Sequence, residues 1–248
     1  MKNITILLAL IAMTALTGCL QMSSDTVINK DGSGSMNMTF TMSLEVEEAF
    51  AEMKNLDTGM DEDMGEVPLF DDSFDKSALE KTLKKSGAKL SSYSNSVDAG
   101  NRTVKIGIDF KDAAGMQAAG AVFGEGGGIG IFETADGNYL LAVVEGPAVE
   151  EEEEVEPEMP DMEDMGAAME NAAKSMEIMG KLMSHMGDIA IEMRVTLPGD
   201  IISHNAPLVE GRTCIWTIDS SNMMSAQNMG EPEIVFSGEG LKIKAPKQ

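Results

Sequence analysis

The sequence predicts an α+β protein: a largely antiparallel sheet with packed helices and a long Met-rich helix carried in an acidic insertion. Three observations predict it. Strand-length runs are joined at Asp31-Gly32, Ala99-Gly100-Asn101 and Asp136-Gly137, small pairs that favour tight antiparallel turns. From Thr103 to Phe110 the chain alternates, with Val104, Ile106, Ile108 and Phe110 on one face, as a strand buried on one side requires. From Met162 to Met186 apolar residues recur at 3-4 spacing, which is a helical period.

At the N-terminus, Lys2 precedes the apolar run Ile4 to Leu16. That run is shorter than the ~18–20 residues of a spanning helix, so residues 1–18 read as a secretory signal peptide. Leu16-Thr17-Gly18-Cys19 resembles the lipobox of bacterial lipoproteins. Thr17 and Gly18 are small enough for a peptidase cleft, and the Cys19 thiol would take a diacylglycerol group. Two or three acyl chains hold a protein on a membrane where one does not. The resemblance implies a mature chain from Cys19, a membrane contact through lipid, and, because Leu20 and not Asp follows, an outer-membrane location facing the periplasm. With Cys19 consumed, Cys214 has no partner within the chain, and an intramolecular disulfide is excluded.

Residues 19–146 form the first part of the expected domain. Asp25 to Asn29 and Met36 to Met42 read as strands around Lys30-Asp31-Gly32-Ser33-Gly34. Ser43 caps a helix through Leu56, with Val46, Ala49, Phe50 and Met53 on one face. Residues 57–72 are an acidic loop, and Ser73 starts a second helix through Leu79 and Leu83, ended by Lys84-Lys85 and Gly87. Lys89 to Asp98 pairs with Thr103 to Phe110. A small-residue helix over 112–123 precedes a glycine run, and Ile129 to Glu133 pairs with Asn138 to Glu145.

Residues 147–160 read as an acidic linker: from Glu150 to Asp164 there are ten acids and no base, with Pro157 and Pro160 stiffening the path. Residues 161–187 form the Met-rich helix. Met162, Met165, Met169, Ala172, Met176, Met179, Met183 and Met186 make a heptad seam; Gly166, Ala173, Gly180 and Gly187 form a ridge of small residues beside it; Glu163, Glu170 and Glu177 lie opposite, in water. The plainer reading packs this seam on the sheet or a neighbour, with Met as adaptable filler. The sharper one makes it an apolar contact surface for lipid or another chain; soft-metal binding through thioethers and an oxidant sink are further readings. Residues 188–248 return to strands that complete the same domain, so that the strands flanking the insertion belong to one sheet. Ile189, Ile191, Met193, Val195 and Leu197 share a face, Pro198-Gly199 turns, Thr213 to Ile218 and Glu233 to Phe236 follow, and Leu241 to Lys244 closes the domain.

With 18 Lys+Arg against 42 Asp+Glu, the formal charge of −24 excludes nucleic acid as a partner and disfavours an unaided anionic membrane surface. Asn29-x-Asp31-x-Ser33-Gly34 opens like a calcium loop, but its twelfth position is Phe40, where a bidentate Glu is required. Gly124 to Gly130 lacks the dinucleotide register, and nucleophile-elbow and zinc-protease motifs are absent. Ser73 to Lys76 and Ser86 to Lys89 fit S-x-x-K by letter, without the companion motifs. His185 and His204 lie on different elements and make no metal site. Cys214 shares a strand face with Trp216 and reads as a buried structural thiol. The expectation is a protein without catalysis, cofactor or metal.

Two further segments carry a family resemblance. Val27 to Gly34, just after the lipobox, resembles the opening of LppM-like bacterial lipoproteins, and the run from Met193 to Ile218, with Pro198-Gly199, Asn205, Val209, Gly211 and Trp216, is similar too. The resemblance implies an envelope-facing, non-enzymatic α+β domain with a lipid or glycolipid ligand. The acidic, Met-rich insertion departs from the family pattern. The expected function is therefore a lipid-anchored envelope lipoprotein that contacts an apolar ligand or a protein partner. Its alternatives are a structural protein assembling through the Met-rich helix and a Cu(I) binder.

Overall fold

A computed structural model of the chain describes residues 20–54, 74–84, 87–121, 128–144, 165–185, 189–222, 225 and 230–247. The expected signal peptide 1–18, Cys19, the expected acidic loop 57–72, Ser73, the expected linker 147–160, Met162 and Met186 lie outside them, as do the side chains of Met165, Met169 and His185.

The class is α+β, with two mostly antiparallel sheets. The larger is ordered β3-β4-β2-β1-β7-β10-β9 and the smaller β5-β6-β11-β8. β1 (Leu20–Ile28) and β2 (Gly34–Ser43) form the first hairpin, paired from Leu20 with Met42 to Ile28 with Gly34. β1 starts five residues earlier than the Asp25 start the sequence suggests. Its first half carries no turn signal and is held as a strand by a parallel pairing to β7 (Ile189–Thr196). Met36, Met38, Phe40 and Met42 of β2 point into the core.

The Ser43 hydroxyl accepts from the Val46 amide at 3.3 Å and caps α1 (Leu44–Lys54), which buries Val46 and Ala49. α2 (Lys76–Leu83) starts later than Ser73. Asp75 is its N-cap, its carboxylate accepting from the Ser77 and Ala78 amides at 2.9 and 3.0 Å. The delay has a packing cause: Phe74 is buried against Phe40, ring centres 4.7 Å apart, so the chain enters the core before it coils.

β3 (Ala88–Asp98) and β4 (Asn101–Phe110) are joined by Ala99 and Gly100, both at positive φ (49° and 80°), as a two-residue turn matching strand twist demands. Asn101 is thus strand and not turn. Val104, Ile106, Ile108 and Phe110 are all buried, as the alternation predicts. α3 (Ala113–Ala121) packs on β5 (Gly128–Glu133), which pairs with β6 (Tyr139–Val144).

α4 (Met165–His185) packs on α1. The strands flanking the insertion do not share a sheet: β6 lies in the smaller and β7 in the larger. Both sheets nevertheless supply one core, in which Ile131, Leu141, Ile234 and Phe236 join Ile108, Val195 and Leu197. β8 (Ile201–His204) and β9 (Leu208–Glu210) are strands that the sequence reading leaves unassigned. β10 (Thr213–Asp219) and β11 (Glu233–Phe236) match expectation.

Leu241 to Lys244 is not a closing strand. The Lys242 amide donates to the Lys30 carbonyl at 2.8 Å, the Tyr139 hydroxyl donates to the Ile243 carbonyl at 3.0 Å, and Ile243 is buried. The segment's backbone bonds go to a turn on one side and a side chain on the other, so it plugs the domain without joining a ladder.

Three turns are built on a carboxylate that accepts a hydroxyl. Asp31 takes Ser33, Asp136 takes Thr134 and Asp219 takes Ser221, at 2.6, 2.6 and 2.5 Å, and these bonds hold each carboxyl below the ordinary aspartate value of 3.8. A carboxylate whose pKa is lowered by folding stabilises fully above its unfolded value and loses that contribution as pH falls through the folded one. The contribution of these three turns should therefore shrink as pH falls from the ordinary aspartate value and vanish below it. Replacing Ser33, Thr134 and Ser221 together by Ala should move the midpoint of acid unfolding to higher pH, as circular dichroism during acid titration would read. An unchanged midpoint would show that these exposed turns contribute nothing measurable.

Candidate functional site

α4 is held to the domain by one face, and it is not the Met face. Asn171, Ser175, Ile178 and Leu182 follow one another at steps of four, three and four; Ile178 is buried and the other three are half-buried. The described part of the Met seam is turned away: Met176, Met179 and Met183 are 79%, 38% and 63% exposed. At these three positions the seam does not pack on the sheet, whereas the plainer expectation is packing on the sheet or a neighbour. The reason is local. Ile178, stiff at its branched β-carbon, is buried, Leu182 packs against the core, and the half-buried Asn171 and Ser175 complete their stripe, so the helix is rolled with this stripe inward.

The ridge beside the seam is open too. Ala173 and Gly180 are exposed, and a β-carbon built on Gly180 meets nothing within 4 Å. On the next face Glu177 pairs with Lys181 at 3.5 Å, an exposed i,i+4 contact worth a few tenths of a kcal/mol. The described part of the helix thus shows three faces in turn: packed, thioether-rich and open, then charged. In isolation Gly180→Ala should raise stability by about 0.5–1 kcal/mol, because the helix interior gains a better former without a clash. A urea-unfolding midpoint that falls instead would mean that a second backbone lies against Gly180.

The other predicted positions divide. The Asn29 to Gly34 loop closes on itself. The Ser33 amide and hydroxyl donate to Asp31 Oδ1, and the Asn29 side-chain amide donates to the Ser33 hydroxyl at 3.1 Å, so Asp31 Oδ1 and the Ser33 hydroxyl are engaged within the hairpin turn. Among the described residues no three His, Cys, Asp or Glu side chains converge as a metal site. Cys214 is fully buried, and desolvation pushes its thiol up, which makes it inert. Trp216 is buried beside it in β10. His204 ends β8, exposed, its Nδ1 3.2 Å from the Ala206 carbonyl oxygen.

One concavity was not legible in the sequence. An open cleft of about 420 Å³ lies where β8 and β9, edge strands of different sheets, meet; Asp200, Ile201, His204, Val209 and Arg212 line it. Arg212 Nη1 donates to the Pro198 carbonyl at 2.8 Å, which fixes its wall. Tertiary pairing makes this cleft, and neither strand carries a motif.

Geometry therefore defines an α+β two-sheet domain bearing an outward apolar helix face. Among the described residues no helix is long and apolar enough to cross a membrane. No protein-family model matches the chain, and a comparison with curated proteins finds no match. Among solved structures, the NMR structure of the folded domain of the LppM protein of Mycobacterium tuberculosis is similar over 88% of this chain and 90% of that one, with a TM-score of 0.43 and 11% identity.

Proposed function

We propose that the protein is a lipid-anchored lipoprotein of the bacterial cell envelope, held by acyl chains on Cys19 at the outer membrane and facing the periplasm. It acts without catalysis, by contact. The contact surface is the Met face of α4, offered to an apolar ligand or a protein partner. One observation carries this reading: Met176, Met179 and Met183 are exposed on a helix whose other face is already packed. Unbranched, polarizable side chains suit a surface that must fit partners of more than one shape. The openness of Gly180 favours, as second reading, close approach of another helix in an envelope assembly.

Replacing Met176, Met179 and Met183 together by Leu should preserve the contact, since Leu keeps volume and apolarity. Replacing them by Gln should abolish it, because each amide buried without a partner costs about 1–3 kcal/mol. Native mass spectrometry of the detergent-solubilised protein reads bound lipid, oligomer and metal together. Retention in the Leu variant and loss in the Gln variant is the expected order. Cu(I) uptake lost in both would replace the contact reading by thioether coordination.

A further inference from the structure

We infer that the acylated domain stands flush on its membrane with a defined rim against the lipid headgroups: the end of the larger sheet formed by Val97, the Ala99-Gly100 turn, Leu20, Ile189 and Ser220. The inference rests on acylation of Cys19, and its geometry comes from the fold. Leu20, the next residue in the chain, is already in β1, paired with Met42 of β2 on one side and Ile189 of β7 on the other. Neighbouring Cα atoms are about 3.8 Å apart, so a lipid on Cys19 would leave only one residue and its glyceryl thioether as tether, too short for the domain to swing away from the surface. β1 is moreover interior to the seven-stranded sheet, with three strands on either side, so the anchor enters near the middle of this rim and not at a corner.

The pairings fix which residues share that rim. One row runs Val97, Arg102, Met42, Leu20, Ile189; beyond it lie the β3–β4 turn and, past Asp219 beside Ala190, Ser220. Val97 is 52% exposed, and Leu20 and Ile189 are half-buried, which leaves apolar surface beside the anchor. Arg102 is tied to Glu47 at 2.8 Å, and Asp98 and Asp219 add negative charge. Such a rim has no basic footprint to bind anionic lipid by itself. The covalent anchor sets the contact. The opposite rim, with the Lys30 turn and Lys111 after Phe110, lies about 26 Å away, the length of a nine-residue strand at ~3.3 Å per residue.

The test places one fluorophore at a time on Val97→Cys, Ser220→Cys, Lys30→Cys or Lys111→Cys, all exposed positions, in the acylated full-length protein on phosphatidylethanolamine–phosphatidylglycerol vesicles with a headgroup nitroxide. The buried Cys214 does not compete for label. Quenching should be severalfold stronger at Val97 and Ser220 than at Lys30 and Lys111. Ten Gly-Ser residues inserted between Cys19 and Leu20 should remove that difference while the protein still sediments with vesicles. Equal quenching at all four sites, with the acyl adduct on Cys19 confirmed by intact mass, overturns the inference and leaves the anchor standing. Absence of the adduct overturns the anchor, and the inference with it.

Discussion

Cys19→Ala should release the protein from the membrane fraction into the soluble fraction. The change removes the thiol that, on the proposed reading, would take the lipid. Nothing described replaces it: no described helix can span a bilayer, and the chain's charge of −24 opposes adsorption to anionic headgroups. The effect is therefore a change of compartment and not a graded loss of affinity. Fractionation with a carbonate wash measures it. A carbonate-resistant Cys19→Ala protein would end the lipoprotein reading, and the Met-face proposal would have to be judged without a membrane beside it.

Gly34→Val should be strongly destabilising, by about 3 kcal/mol or more, the upper end of what overpacking costs when the neighbours cannot move. A β-carbon at Gly34 would fall 2.0 Å from the Val27 carbonyl oxygen and 2.5 Å from the Phe110 ring. Neither can yield cheaply. The Val27 carbonyl belongs to the backbone of the β1–β2 hairpin, and Phe110 is buried between that hairpin and β3. Gly137→Ala is the contrasting control. Its φ is +79° but nothing lies within 4 Å, so its cost should be the left-handed backbone penalty of roughly 1–2 kcal/mol. Urea unfolding followed by tryptophan fluorescence of Trp216 reads both. Similar midpoints for the two variants would show that the hairpin relaxes around the added side chain.

Much of the fold was legible because its signals are local. The β3–β4 hairpin is written in an alternation of period two and an Ala-Gly turn, and both survive in the structure. Ser43 caps its helix because hydroxyl and amide are three residues apart. The misreadings occur where a distant segment decides. Asp75, and not Ser73, caps α2 because Phe74 must first reach Phe40. β8 and β9, which carry no assignment in the sequence reading, are strands because β11 and β10 offer them edges. Leu241 to Lys244 fails to be one because its hydrogen bonds are taken by Lys30 and Tyr139.

The candidate site divides along the same line. Periodicity shows that residues 161–187 suit a helix and that the methionines line up along it, since a side chain's angle about the axis depends on residue count alone. It does not show which stripe faces inward, because two apolar stripes compete: the thioethers and the Ser175, Ile178, Leu182 line. Packing on α1 chose the second and left Met176, Met179 and Met183 outside. The sequence by itself determined the α+β class, the hairpins, the helix and the lipobox-like Cys19, all set by neighbours a few residues away. Only the tertiary structure decided that β1 pairs with β7, that the insertion joins two sheets, and that the Met face is turned out, because burial is a contest between segments far apart in the chain.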